Sequence, residues 1–408
     1  MTAVEHAAGV SAGPAERAAG QPVPEDALGR LRRRLEALLG VPATEGNQIE
    51  LLRNGDRIFP AMLDAVAGAE RSVDFLTFVY WKGDIARRFA HALAERAAAG
   101  VRVRVLLDAI GGRLMDRDLI RHMDDSGVQV EWFRKPWLVS PLRQNHRTHR
   151  KVLIVDERIG FTGGVGIAEE WEGDARDASE WRDTHVRVTG PAVDGLAAAF
   201  AQNWAESGRP LYDDTDTFPT HERPGSSVVQ VIRGSASVGW NDMATLFRIM
   251  IESASSRVRL TSAYFVPDAT FEGLLVDAVR RGVQVDVLIP GPGADKRVCQ
   301  IASESTYERL TKAGVHIWNF QPSMLHAKIL TIDDCASVIG SANFNNRSMQ
   351  LDEEVVLCVL DAAVTATLVE HFEDDLLRSV RIDLDRWQER SPAQKGAEAA
   401  STLLKRWF

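Results

Sequence analysis

HRKVLIVDERIGFTGG (149–164) is answered further along the chain by HAKILTIDDCASVIGS (326–341). Each stretch opens His-x-Lys, continues as a short Val/Ile-rich run closed by Asp, and reaches a Gly-Gly or Gly-Ser pair. Three more pairs keep the same order: AERSVDFLTFVYW (69–81) with ASSRVRLTSAYFV (254–266), AAAGVRVRVLLD (97–108) with VRRGVQVDVLIP (279–290), and DSGVQVEWF (125–133) with KAGVHIWNF (312–320). Their offsets are close, 185 from 73 to 258, 187 from 127 to 314 and 177 from 149 to 326. Collinear matches at nearly constant offset are the mark of an internal duplication.

Each half alternates strand and helix patterns. VRVRVLLD and VQVDVLIP read as buried strands following helices that stop at Gly100 and Gly282, and KVLIVD and KILTID as strands rich in β-branched residues. That alternation predicts an α/β fold: two similar α-β-α sandwich halves with mixed sheets, related by a pseudo-two-fold axis. The polar, Pro/Gly-rich DDTDTFPTHERPGSS (213–227) reads as the junction. The expected organisation is a tail over 1–45, a first half over 46–215, a second half over 216–386 and a C-terminal tail over 387–408.

The tail before residue 45 is rich in Ala, Gly, Pro and Glu and reads as poorly ordered. Within it Leu28, Leu31, Leu35, Leu38 and Leu39 fall at helical spacing, interleaved with Arg30, Arg32, Arg33 and Arg34. Two readings of that helix stand side by side, docking on the core or lying on a membrane surface.

A chain of 408 residues with 45% hydrophobic and 26% charged residues can bury a large core. The net charge of -9 speaks against a nucleic-acid binder, which usually carries a basic surface. Cys299, Cys335 and Cys358 show no metal or disulfide spacing and read as reduced, buried thiols. No signal peptide and no apolar run long enough to span a bilayer is recognised. Nor is there a Walker loop, a dinucleotide fingerprint or a metal-ligand cluster, so no cofactor and no metal is expected.

The chemistry centres on H-x-K-x-x-x-x-D, present as His149, Lys151 and Asp156 and again as His326, Lys328 and Asp333. On a strand, residues two apart share a face, so each His projects with its Lys. A neutral imidazole can attack phosphorus, an imidazolium can protonate a leaving alkoxide, and an ammonium stabilises phosphoryl oxygens. A displacement at phosphorus needs one such group on each side. Duplication supplies two, which puts the site at the seam between halves. A lone His on an apolar strand reads as core, but these two each come with a Lys and with a repeat partner. The aspartates, at the far ends of their strands, read locally as turn or salt-bridge residues.

These motifs resemble those of the phospholipase D superfamily. In that family the Asp is followed by G-G/S-x-N, which the second half keeps as Gly340, Ser341, Ala342 and Asn343. The first half reads Gly163, Gly164, Val165 and Gly166, with glycine in place of the Asn. The resemblance implies a catalytic set of His149, Lys151, Asp156, His326, Lys328 and Asp333, with phosphate bound by Asn343, Ser341 and Gly164. It also implies a downstream acid that holds each His in one tautomer. Asp183 in WRDTHVRVTG and Glu354 in MQLDEEVVLCVL are the candidates, with Glu353 the off-register alternative.

Over about Glu50 to Leu377, segments such as LLRNGDRIFPAMLDAV (51–66), FTGGVGIAEEW (161–171) and AYFVPD (263–268) resemble bacterial cardiolipin synthases of the group without N-terminal transmembrane helices. That resemblance implies a phosphatidyltransferase at the inner face of the cell membrane. It would join two phosphatidylglycerol molecules through a phosphohistidine, with His149 the commoner nucleophile. The alternatives are a phospholipase D-type hydrolase, a nuclease, and a lipid-binding scaffold that keeps the fold. Two stretches fit an anionic lipid interface on their own composition. One is WFRKPWLVSPLRQNHRTHRK (132–151), which mixes Trp132, Phe133, Trp137 and Leu138 with Arg134, Lys135, Arg143, Arg147 and Arg150. The other is the tip from Leu403 to Phe408.

Overall fold

The structure, a computed structural model, describes residues 25–135, 145–211, 218–235, 241–295 and 297–384. The predicted tip over 403–408, together with Trp137, Leu138 and Arg143, lies outside the described residues.

The first half runs β1 (Thr44–Arg53), α2 (Gly55–Ala67), β2 (Ser72–Thr77), α3 (Asp84–Ala98), β3 (Arg102–Asp108), α4 (Arg117–Asp125), β4 (Gln129–Phe133), β5 (Val152–Val155), β6 (Ile159–Gly163), β7 (Thr184–Thr189) and α5 (Val193–Trp204). The second runs β8 (Ser227–Gly234), α6 (Asp242–Ser253), β9 (Arg257–Thr261), α7 (Ala269–Arg280), β10 (Gln284–Pro290), α8 (Arg297–Lys312), β11 (His316–Phe320), β12 (Ile329–Ile332), β13 (Ala336–Gly340), α9 (Asn346–Gln350), β14 (Glu354–Leu360), α10 (Ala362–Leu377) and β15 (Ser379–Arg381). α1 (Glu25–Leu39) precedes both.

The sheets of the two halves are one. The strand order β15-β11-β10-β9-β12-β13-β14-β8-β1-β7-β6-β5-β2-β3-β4 reads the same from either end of the β8–β1 seam, apart from the extra β15. Strands β2, β3 and β4 of the first half and β9, β10 and β11 of the second run parallel and are joined by helical crossovers, whereas β15 at the edge and the inner strands pair antiparallel. Gly100 and Gly282 end the crossover helices α3 and α7 with φ of +90° and +87°, and a Cβ on either would meet nothing within 4 Å. Glycine stands there for its left-handed backbone, which any side chain strains.

Helices cover both faces, and the buried apolar residues show how the halves are welded. α2 and α3 close one core over the first half, and α6 and α7 another over the second. On the opposite face α5 lays Leu196, Phe200 and Trp204 into a core that also takes Val229 and Val231 of β8 and Ile339, Val355 and Leu357 of the second half. Gly195 makes this possible, because a Cβ there would come within 2.5 Å of the Val231 Cβ.

Residues 1–24 of the expected tail lie outside the described residues, and the helix that follows takes the first of its two readings, docking on the core. α1 buries Leu31, Leu35 and Leu39 in the core of the second half, with Leu28 packed beside them and Leu38 exposed. The leucine stripe is therefore spent on protein rather than on a membrane surface. β1 also starts at Thr44, so the expected boundary at 45/46 falls inside a strand. TEGNQIE lacks the apolar alternation that signals a strand, because the pairing with β8 and β7 is supplied by the sheet.

Candidate active site

The two motif histidines do not sit in their predicted strands. His149 and Lys151 occupy the extended lead-in to β5, and His326 and Lys328 the lead-in to β12. Each lead-in pairs with the other half: the His149 N–H donates to Glu353 O at 2.8 Å and the His326 N–H to Arg182 O at 2.7 Å. The seam thus holds both motifs by main-chain hydrogen bonds that cross it.

The orienting acids are crossed in the same way. His149 Nδ1 lies 3.0 and 3.1 Å from the two oxygens of Glu354, and His326 Nδ1 lies 2.8 Å from Asp183 Oδ2. A carboxylate accepts only, so each Nδ1 carries a proton. Glu353, the off-register alternative, turns away to Arg134, Arg150 and Ser235. Both orienting carboxylates are fully buried. Glu354 is held by the hydroxyls of Ser341 and of Ser348, the latter at 2.7 Å. Asp183 is held by Trp171 Nε1 at 3.0 Å and the Thr184 N–H at 2.8 Å.

Burial sets the charges. It pushes His149 down to about 4 despite the attraction of Glu354, and Lys151 and Lys328 push the same way. The imidazole is therefore neutral near pH 7. Burial also works to raise the Glu354 carboxyl, but His149, Lys151 and Ser341 outweigh it and hold it at about 2. At Asp183 burial prevails over the attraction of Lys328, and its carboxyl lies above the usual range. Lys328, buried among Asp183, Lys151 and Glu354, drops to about 7. That Lys328 acts on His149, and Lys151 on Lys328, shows the two motifs sharing one field. Each lysine also donates to the carbonyl of its own histidine, Lys151 to His149 O at 2.7 Å and Lys328 to His326 O.

The two histidines differ in surroundings. His326 is caged by Trp171, Trp181 and Tyr264, with ring centroids 5.1, 5.5 and 6.2 Å away. His149 has the edge of Phe78 at 5.3 Å.

Several residues expected in the site do other work. Asp156 and Asp333 are not part of the cluster. They start the β5–β6 and β12–β13 turns, where two successive residues take positive φ: Asp156 and Glu157 at 52° and 55°, Asp333 and Asp334 at 49° and 55°. Aspartate tolerates that left-handed backbone. Each carboxylate collects three main-chain N–H groups, Glu70, Arg71 and Ser72 for Asp156, and Ser255, Ser256 and Arg257 for Asp333. The motif aspartates tie the hairpin to the start of β2 or β9, at the strand end away from the histidines.

Ser341 and Gly164, expected to bind phosphate, are also otherwise engaged. The Ser341 hydroxyl donates to Glu354 and accepts from the Val355 N–H at 3.0 Å. The Gly164 N–H donates to Thr184 O at 3.3 Å, and a Cβ there would collide with the Asp183 carboxylate. Asn343 is tied to the segment that carries Tyr264: its Oδ1 accepts from the Tyr264 N–H at 3.3 Å. The first half has no Asn because a Cβ at Gly166 would lie 2.6 Å from Val79 Cβ and 3.3 Å from the Trp171 ring.

Three described arginines of the basic stretch before β5 are spent on partners within the protein. Arg147 is buried with Asp108 at 2.9 Å, Arg150 is buried against Glu353, and Arg134 pairs with Glu206 and Glu353. Phe133 is buried as well. These guanidiniums satisfy carbonyls and acids of the interior, which composition alone cannot distinguish from a surface patch.

The sequence reading missed Trp171, Ser348 and Tyr264, although Trp171 and Tyr264 lie in segments that carried the resemblance.

Comparison with known proteins identifies the family. The family described as "Cardiolipin synthase, PLD-like domain" matches residues 62–173 and 247–376, one segment in each half. A cardiolipin synthase A of Pseudomonas fluorescens is 36% identical over 343 residues, covering 83% of this chain and 70% of that protein. A cardiolipin synthase 1 of Bacillus anthracis is 30% identical over 376 residues, covering 90% of this chain and 73% of that protein. The solved phosphatidylserine synthase of Haemophilus influenzae, 14% identical, shares the fold over 93% of this chain and all of its own, with a TM-score of 0.71. The chain belongs to the cardiolipin synthase family of phospholipase D-like proteins. It is an enzyme of the phosphatidyltransferase kind, with phospholipid substrates.

Proposed function

We propose that this enzyme makes cardiolipin from two molecules of phosphatidylglycerol and releases glycerol. The observation that carries the mechanism is the pair of crossed dyads, two histidines at one seam, each with Nδ1 fixed by a buried carboxylate of the other half. In the first step Nε2 of His149 attacks phosphorus. The P–O bond to glycerol breaks, and His326, entering the step as the imidazolium, gives its Nε2 proton to the departing oxygen. In the second step His326 takes the proton from the hydroxyl of another phosphatidylglycerol. That oxygen attacks phosphorus and the P–N bond to His149 breaks, restoring both histidines. Lys151, Lys328 and the Asn343 amide stabilise the phosphoryl oxygens. The neutral state of His149, favoured by its burial, supports it as the nucleophile.

No described helix is long and apolar enough to cross a membrane. The reading makes the protein a peripheral one, meeting an anionic bilayer at the inner face of the cell membrane.

Purified protein incubated with phosphatidylglycerol vesicles, with lipid products resolved by mass spectrometry, tests this. Cardiolipin is expected, and its loss in His149→Ala and in His326→Ala. Phosphatidic acid without cardiolipin would replace the transferase by a hydrolase, and near-normal turnover in both variants would remove the mechanism.

A further inference from the structure

Neither orienting carboxylate is anchored by side-chain contacts alone. Arg150, the residue between His149 and Lys151, is fully buried. Its Nε donates to the carbonyl oxygen of Glu354 at 3.1 Å, and its other nitrogens donate to Ala199 O at 2.7 Å, Gly234 O at 3.0 Å and Glu353 Oε2 at 3.3 Å. Arg182 does the equivalent for the other dyad. It is buried, its Nη1 donates to the carbonyl oxygen of Asp183 at 2.5 Å and to Thr184 Oγ1 at 2.9 Å, and its Nε faces Asp375 at 2.9 Å. The two arginines come from unrelated points of the repeat. The second half has Ala327 where the first has Arg150, and Glu353 where the first has Arg182. The duplicated template therefore does not account for them, and two different solutions meet one need.

We propose that Arg150 and Arg182 are positioning residues, each locking the main chain of one orienting carboxylate through its carbonyl oxygen so that the carboxylate stays on its histidine. The physical case is the cost of the arrangement. A fully buried guanidinium is expensive to desolvate unless its donors are matched. Arg150 spends its donors largely on carbonyls, those of Glu354, of Ala199 in α5 and of Gly234 at the end of β8, whereas Arg182 divides its donors among the Asp183 carbonyl, the Thr184 hydroxyl and the Asp375 carboxylate. A rotation of the Glu354 main chain would break the Arg150 bond before it moved the carboxylate off His149. Arg150 remains charged near neutrality even though burial lowers it to about 10. Neither arginine contacts the reacting atoms, so each acts through its carboxylate.

This inference rests on the dyad reading of the site, and a double-mutant cycle tests it separately. Arg150→Met is made in the native protein and in Glu354→Gln, and turnover of phosphatidylglycerol vesicles is followed in all four forms. In the native background kcat is expected to fall about ten- to a hundredfold with KM little changed, as for groups that orient a functional histidine. In Glu354→Gln the same change should cost less than about twofold further, because the group it acts through is already gone. Equal loss in both backgrounds, or none in the native one, overturns the proposal. Should Arg150→Met fail to fold by circular dichroism, Arg150→Lys keeps a charge opposite Glu353 without the fork of donors and is put through the same cycle. Arg182→Met with Asp183→Asn repeats the test on the other dyad. His149→Ala distinguishes the two levels: activity surviving there defeats the dyad reading itself, whatever the cycle shows.

Discussion

The carboxylate of Glu354 accepts the Nδ1 proton of His149 at 3.0 Å across 205 residues of sequence, from the opposite half of the molecule. Asp183 and His326 repeat the relationship in reverse, 143 residues apart. Neither half holds a complete dyad. The crossed dyads are thus a property of the docked pair, whose halves share the core under α5.

Because each acid serves a histidine of the other half, loss of either should cripple the enzyme without unfolding it. Glu354→Gln keeps the shape and the contacts to Ser341 and Ser348 but presents His149 with the wrong partner. A fall in kcat of about 10²- to 10⁴-fold is expected by analogy with other His–carboxylate pairs. Steady-state kinetics, with thermal melting as the control for folding, would check it, and retention of more than a tenth of native kcat would contradict it.

Lys328 should give the enzyme an alkaline limit. Burial lowers it to about 7 from the ordinary lysine value, so its stabilising charge is present below about pH 7 and lost above. The kcat/KM profile of the native enzyme is expected to fall on the alkaline side near that pH, and Lys328→Arg, which cannot lose its proton, to move the fall upward. The linkage has a definite sign. The folded state binds fewer protons than the unfolded one between about 7 and the ordinary lysine range, so this residue's contribution to stability improves as pH rises through that window. Urea midpoints at pH 7 and pH 9, compared between the native protein and Lys328→Met, measure it.

Restoring the absent asparagine should harm rather than help. Gly166→Asn drives a Cβ against Val79 and Trp171, and Trp171 carries the hydrogen bond to Asp183. A destabilisation of about 1–3 kcal/mol is expected from overpacking, with lower turnover. Denaturant unfolding and kcat together test this, and a variant as stable as the native protein with higher kcat would show that the first half can hold a second phosphate donor.

The motif aspartates should separate stability from catalysis. Asp156→Ala leaves three main-chain N–H groups at the start of β2 without their acceptor, at a cost of about 1–3 kcal/mol. The folded fraction should retain kcat within about threefold, since the carboxylate lies outside the cluster. A drop in kcat comparable to that of His149→Ala, in protein shown to be folded, would return Asp156 to the catalytic set.

What could be read directly from the sequence was local or repetitive. The duplication, the two His-x-Lys pairs, the helix ends at Gly100 and Gly282 and the identities of Asp183 and Glu354 all follow from spacing, periodicity and resemblance. Tertiary structure alone decided which acid meets which histidine. It joined two sheets into one through β1 and β8, and placed α1 in the core of the second half. It spent the Ser341 hydroxyl on Glu354 and turned Arg147 and Arg150 inward. The reason is physical: a sequence pattern records which face of an element is apolar and which residues share a turn. A buried arginine, a hydroxyl or a carboxylate finds its partner only when elements far apart in the chain pack together and its desolvation must be matched.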